Sequence, residues 1–297
     1  MPSAIKRRHL STRHRRRHVS DFVRVCIVGI SSVFAMQVVA AEDSDCSIAD
    51  IFVNSWIRIA QANESALPVT TAMRKDLTFN ASDGTVLRGY SYVADASEIA
   101  PTGFVLLLQG NATAASSMAD VAISLADSTR EEVVVYEYRG FGKDSKVRPS
   151  MASIQGDVDA IVADLVRRRR RGTLIGVSMG GIFAARSLLR YAPATELRVL
   201  LDSVPAQIPR IPFFMWCPAS MSPVNIVTSE LARRVGVIYG EDDGLTKDSA
   251  SKELMERVRQ AHGNVWIISR GHATLSARDQ LVRVPLYSEF VSAGVPR

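Results

Sequence analysis

Apolar positions recur along the chain in two rhythms. Lys75-Asp76-Leu77-Thr78-Phe79, a polar turn at Ser82-Asp83-Gly84-Thr85, and Val86-Leu87-Arg88-Gly89-Tyr90-Ser91-Tyr92-Val93 alternate roughly every second residue, which predicts a hairpin of half-buried strands. Six later segments are nearly continuous apolar runs: Phe104-Val105-Leu106-Leu107-Leu108, Val133-Val134-Val135-Tyr136, Thr173-Leu174-Ile175, Val199-Leu200-Leu201, Val235-Gly236-Val237-Ile238-Tyr239 and Val265-Trp266-Ile267-Ile268. Such runs are expected of strands covered on both faces, as in a parallel sheet. Between them, helical spacing covers Ser117 to Ala126, Met151 to Arg170, Gly181 to Tyr191 and Lys247 to Ala261. A hairpin followed by β-α repeats predicts one α/β domain with a mostly parallel central sheet and helices on both faces. Ahead of the hairpin, Ile48 to Ala62 reads as a helix whose apolar set is Ile51, Phe52, Trp56, Ile57 and Ile59, packed across the domain edge.

The formal charge of +6 over 297 residues changes this picture only at one end. Residues 1–41 carry eight Lys or Arg against one acid, Asp21, and the remainder holds 28 bases and 29 acids. The domain itself therefore offers no polyanion footprint, and no nucleic-acid partner is expected. The basic stretch is followed by the apolar run Val25 to Ala41 and a small-residue site, Val39-Ala40-Ala41, before the acidic Glu42-Asp43-Ser44-Asp45. That is the order of a secretory leader. Residues 1–41 are thus expected to be a signal peptide or an N-terminal membrane anchor, and residues 42–297 an exported domain, either periplasmic or secreted or held at the membrane by the uncleaved segment. A start extended upstream of the true leader, near Val19 or Val23, is a third reading.

Two further features have bland readings. The five arginines Arg167 to Arg171 close the helix Met151 to Arg170, where cations complement the helix dipole. Of three cysteines, Cys26 leaves with the leader; Cys46 and Cys217 either pair in an oxidising compartment or stay as two thiols.

Candidate chemistry centres on Gly176-Val177-Ser178-Met179-Gly180, a turn between an apolar strand and a helical segment. Glycines at such a turn remove the Cβ atoms that would collide, and a serine there projects above the sheet near a helix N-terminus. Ser178 as nucleophile needs a base. Outside the leader there are two histidines, His262 and His272. His262 precedes Gly263 and reads as a helix-end residue, whereas His272 follows the apolar strand Val265 to Ile268, where functional groups of open α/β sheets collect. After the strand Val235 to Tyr239 come Glu241, Asp242 and Asp243, three candidates for the carboxylate that would orient the imidazole. The chain order is then Ser, acid, His.

With these residues in place the sequence resembles the α/β-hydrolase superfamily, and within it the branch of acyl-protein depalmitoylases and monoacylglycerol lipase-type enzymes. The resemblance runs from about Leu77 to the C-terminus and implies an α/β-hydrolase fold with a short cap between strands 6 and 7. Its Gly-x-x-Asp pattern selects Asp243, with Asp242 in reserve. Its Gly-His-x-x-Leu appears as Gly271-His272-Ala273-Thr274-Leu275, and its Tyr-Arg-Gly-x-Gly loop as Tyr138-Arg139-Gly140-Phe141-Gly142. The oxyanion hole needs two N–H donors, each typically lowering the barrier by about 2.7–4 kcal/mol. Met179 supplies one by its position after the nucleophile, and the turn Gln109-Gly110-Asn111-Ala112 supplies the other, at Asn111. The branch has His-Gly-Asn-Ala there, so Gln109 is a departure that bears on support of the loop.

The segment Val204 to Ser229, with five prolines beside Ile211, Phe213, Phe214, Met215 and Trp216, reads either as a cap with an apolar wall or as an irregular crossover. The preferred reading is a serine hydrolase that cleaves a small-molecule or acylated ester or thioester through an acyl-enzyme, with Ser178, His272 and Asp243 as triad and no metal or organic cofactor. Two alternatives stand beside it: a serine aminopeptidase or amidase on the same fold, and a non-catalytic hydrolase-fold binding protein of the cell envelope.

Overall fold

The computed structural model describes residues 47–64, 66–68, 73–94, 100–143, 145–169, 171–208 and 218–294, within the compact unit Asp45–Arg297. The expected leader, residues 1–41, together with Cys46, Cys217 and the apolar set Ile211 to Trp216, lies outside the described residues. No helix among the described residues is long and apolar enough to cross a membrane.

Helix α1 (Ser47–Ala62) precedes the hairpin β1 (Met73–Asn80) and β2 (Val86–Val93). Then follow β3 (Phe104–Leu108), α2 (Ala119–Thr129), β4 (Glu132–Tyr136), α3 (Met151–Arg168), β5 (Arg171–Val177), α4 (Met179–Tyr191) and β6 (Glu196–Asp202). Two one-turn helices, α5 (Pro223–Ile226) and α6 (Ser229–Ala232), lead into β7 (Val235–Gly240), α7 (Ser249–Gln260), β8 (Asn264–Ile268) and α8 (Ala277–Ser292). The eight strands form one sheet in the order β1-β2-β4-β3-β5-β6-β7-β8. β1 and β2 are antiparallel, and every pairing from β4 through β8 is parallel.

Alternation along the apolar strands divides the core in two. Phe104, Leu106 and Leu108 of β3 face one layer, with Val158 of α3, Phe183 of α4 and Val258 of α7. Val105 and Leu107 face the other, with Ala122 of α2 and Tyr287 and Phe290 of α8. The continuous apolar runs are thus what a sheet covered on both sides demands.

Three expectations are corrected. β8 is only partly covered and Ile267 is 48% exposed, because β8 is the last strand of the sheet among the described residues. Among the side chains of α1 that are described, Val53, Ile57 and Ala60, spaced i, i+4, i+7, pack against the core, while Trp56 and Ile59 point outward; the expected Ile51 and Phe52 side chains lie outside the described set. The helix buries the face that meets the loop before α3, where Asn54 Nδ2 donates to the Pro149 carbonyl (3.0 Å) and the Met151 N–H donates to Asp50 Oδ1 (2.6 Å). The arginine run does not close a single helix. α3 stops at Arg168, Arg169 is extended and pairs with Glu132, and Arg171 opens β5 and pairs with Glu131. Acids at the start of β4 and just before it draw these two arginines across the sheet end.

Phe104 and Gly172 are cross-strand partners, and a Cβ on Gly172 would overlap the Phe104 ring. Gly172→Ala is therefore expected to lower stability by about 1–3 kcal/mol through overpacking, read as a shift in the urea midpoint at unchanged slope.

Candidate active site

The described parallel strands end at one edge of the sheet, and the candidate residues stand on the loops there. β5 turns into α4 at Ser178, whose backbone sits at φ 51°, ψ −119°. That region is unfavourable for an L residue and costs on the order of 1–3 kcal/mol. It is held by the Ser178 N–H donating to the Asp202 carbonyl at the end of β6 (2.9 Å) and by Gly181 N–H donating to the Ser178 carbonyl (3.0 Å). The flanking glycines are needed for close approach: a Cβ on Gly176 would collide with Gly181, and one on Gly180 with the backbone of Leu108 and Gln109. The helix begins at Met179, two residues before the position expected from periodicity, so Met179 occupies the first helical position, where the N–H has no carbonyl partner within the helix.

His272, on the loop after β8, reaches Ser178 Oγ through Nε2 at 2.9 Å and Asp243 Oδ2 through Nδ1 at 2.9 Å. Asp243 is fully buried, while Glu241 and Asp242 are exposed, so the structure distinguishes among the three adjacent acids. Burial alone would raise the Asp243 carboxyl. The bonds and charge of His272 and the Leu245 N–H (3.0 Å) outweigh it and hold the pKa below the usual carboxylate value. An ionised Asp243 accepts only, so Nδ1 carries the donated hydrogen and Nε2 is left to accept from the serine hydroxyl. His262 stands apart. It takes the left-handed position (φ 59°) that ends α7, with its N–H on the Arg259 carbonyl and the Gly263 N–H on the Val258 carbonyl.

The Gln109–Asn111 turn lies against the serine, with the Cβ position of Gly110 3.4 Å from Ser178 Cβ. Asn111 Oδ1 accepts from the Ala112 N–H (3.2 Å), and Ala112 is left-handed (φ 66°). Gln109, the departure from the resembled motif, is wholly buried and its Nε2 donates to the Tyr136 carbonyl (3.0 Å) and to Glu137 Oε1 (3.4 Å). Glu137 Oε2 also accepts from the Ala115 N–H (2.9 Å), so one carboxylate brackets both ends of this turn. On its other side Glu137 lines a cleft of about 360 Å³ between β2 and the Tyr138–Val147 loop. That loop is anchored by Arg139, which forks onto Asp157 (2.5 and 2.6 Å) and reaches Asp83 (2.7 Å).

Sequence reasoning missed Glu137, Asp202, Ser203, Asp279 and Arg283, all of which fasten site loops. Asp279, Arg283 and Tyr287 recur at i, i+4, i+8 on the face of α8 that enters the core, and a charged residue on an apolar face was the available signal. Among the described residues no group of three or more His, Cys, Asp or Glu could hold a metal ion. The segment 204–229, expected as a cap or an irregular crossover, is described only at 204–208 and 218–229. These are drawn together by Val224 N–H on the Ala206 carbonyl (3.0 Å) and Ile208 N–H on Ser222 Oγ (3.1 Å).

A model of the alpha/beta hydrolase family matches residues 105–263, which include Ser178 and Asp243. The chain belongs to the alpha/beta hydrolase family. Its fold is similar to that of an esterase from Pyrococcus furiosus (18% identity, 78% of this chain and 98% of that one, TM-score 0.59). It is also similar to a thermostable esterase from Pseudomonas putida (13% identity, 86% and 92%, TM-score 0.58) and to carboxyl esterase 2 of Tuber melanosporum (12% identity, 78% and 91%, TM-score 0.57). A 122-residue stretch is 33% identical to part of the polyketide synthase ThaQ of Burkholderia thailandensis, spanning 39% of this chain and 6% of that curated relative.

Burial raises the Glu137 carboxyl from 4.5 to about 7, with the nearby Glu64 adding to the shift against the Ala115 N–H and Gln109 bonds. The folded chain then keeps this proton where the unfolded chain has lost it. Stability is therefore expected to fall as pH rises from about 4.5 to 7, by up to about 3 kcal/mol. Glu137→Gln should flatten that slope, measured by urea unfolding at pH 5 and pH 8.

Proposed function

We propose that this protein hydrolyses a carboxylic ester or thioester through an acyl-enzyme formed on Ser178. The observation that carries the reading is the continuous chain Asp243–His272–Ser178, two contacts of 2.9 Å, at a strained strand-to-helix turn. Esterases among the structures of similar fold support the same class of reaction.

In this reading each residue has a role that the observed contacts support. His272 Nε2 takes the hydroxyl proton as Ser178 Oγ attacks the carbonyl carbon, and Asp243 stabilises the imidazolium through Nδ1–H. The carbonyl oxygen becomes negative and is met by the Met179 N–H, at the positive end of α4, and by the Asn111 N–H. As the C–O or C–S bond breaks, His272 returns the proton to the leaving alcohol or thiol. Water then attacks the acyl-enzyme with its proton passing to His272, and the acid leaves as Ser178 regains its hydrogen.

In the purified full chain, Ser178→Ala and His272→Ala are expected to abolish labelling by a fluorophosphonate probe and turnover of p-nitrophenyl esters from acetate to palmitate. Asp243→Asn should lower kcat by about 10⁴-fold with its fold intact. A folded wild type that neither labels nor turns over any ester would remove the acyl-enzyme reading.

The basic and then apolar N-terminal segment supports export of the domain. Expression in a secreting bacterial host is expected to yield a chain beginning at Glu42, read by N-terminal sequencing. An intact chain in the membrane fraction would favour the anchored form.

A further inference from the structure

The loop bearing His272 is gripped on both sides by a buried cluster that takes no part in the chemistry above. Arg283 Nη2 donates to the Gly271 carbonyl (2.9 Å), immediately before the histidine. Immediately after it, the Ala273 N–H donates to Ser203 Oγ (3.1 Å). One residue later, Asp279 Oδ2 accepts from the Thr274 N–H (2.8 Å) and from its hydroxyl (2.5 Å). Both immediate clamps meet at Asp202, whose Oδ1 accepts from Arg283 Nη1 (2.7 Å) and from Ser203 Oγ (3.0 Å) while Tyr287 donates its hydroxyl to Oδ2. Asp202, Arg283 and Tyr287 are 0% exposed and Ser203 is 1% exposed.

Asp202 is also the residue whose backbone carbonyl receives the Ser178 N–H (2.9 Å). One residue thus holds the serine through its main chain and the histidine loop through its side chain. Three donors converge on the Asp202 carboxyl; burial pushes it above the usual carboxylate value, and the Arg283 charge and the Tyr287 and Ser203 hydroxyls oppose that shift. Directional bonds to Gly271 and Ala273 fix the rotation of the loop as well as its position, which apolar packing alone does not do. Ser203 sits at φ 53°, a conformation that aims its hydroxyl between Asp202 and Ala273. The charged groups around the loop are Asp243, Asp202, Asp279, Arg270 and Arg283, with the exposed Glu241 and Asp242 on the neighbouring loop after β7.

We infer that Asp202, Ser203 and Arg283 are positioning residues that set His272 over Ser178, with Asp202 coupling the two. The inference rests on the serine-hydrolase reading and adds to it a source for the 2.9 Å contact between base and nucleophile.

Ser203→Ala, Asp202→Asn and Arg283→Lys are compared with the wild-type full chain. Each is expected to lower kcat and the fluorophosphonate labelling rate by about 10- to 100-fold, since a displacement of an ångström costs that much, while KM changes by less than about twofold. Asp202→Asn also removes the nearer of the two carboxylates beside the Arg283 guanidinium, leaving Asp279 at 3.9 Å, so the acidic limb of the kcat/KM profile should move to lower pH. The downfield proton resonance of His272 Nδ1–H should broaden or vanish in Ser203→Ala at an unaltered melting temperature. Ser203→Ala removes one hydroxyl and no charge, so it decides the matter if the charge variants fail to fold. Wild-type labelling that is lost in Ser178→Ala, together with unchanged kcat, pH profile and resonance in Ser203→Ala, would overturn the positioning role and leave the hydrolase reading standing. A wild type that is not labelled would overturn both.

Discussion

Ser178 keeps a backbone conformation that an L residue avoids, and the site is arranged around holding it there. β5 and α4 are joined with no spare residue, and both are sunk in the core through Leu174, Ile175, Val177, Ile182 and Phe183. The core energy of strand and helix offsets strain of a few kcal/mol at the turn. In return the serine oxygen stands at the sheet edge beside the first N–H of α4. Glycines at 176 and 180 are the steric condition for this arrangement, because the helix start and the β3 loop press directly on the turn.

The remaining site residues reach Ser178 because parallel strands end on the same side. β3 delivers the Gln109–Asn111 turn, β6 delivers Asp202, β7 delivers Asp243, and β8 delivers His272. Loops alone would leave these groups with considerable freedom. Here they are tied by polar contacts from outside the chemistry: Glu137 across the β3 turn, and α8 across the His272 loop.

Asp243 and Glu137, two of the carboxylates beside the site, show how environment divides similar groups. Asp243 accepts from an imidazole and a backbone N–H and is held ionised, so it suits the support of a positive partner. Glu137 also accepts two hydrogen bonds, but neither donor is charged and another acid lies close by, so burial prevails and it tends to keep its proton. The difference lies in the partners each one meets across the fold.

The strands, their order of appearance, the Ser178 turn and the Ser, acid, His sequence were legible in the chain because each rests on residues close together or on local period. Gly271-His272 after an apolar strand was found in the same way, whereas the acidic loop offered three carboxylates and the resembled Gly-x-x-Asp pattern selected Asp243 among them. The exposure of β8, the buried face of α1 and the divided arginine run were not legible, since periodicity does not say which strand is an edge or which acids a cation will meet. Asp202 is a single polar residue just after the apolar run Val199-Leu200-Leu201, and its partner Arg283 lies 81 positions away on a weakly patterned helix. The sequence by itself determined the α/β alternation and the residue types able to form a nucleophile, base and acid. Only the tertiary structure decided that Asp243 rather than its neighbours faces the imidazole, and that Asp202 joins the serine turn to the histidine loop, because burial and hydrogen-bond partners are set by segments distant in sequence that the sheet brings together.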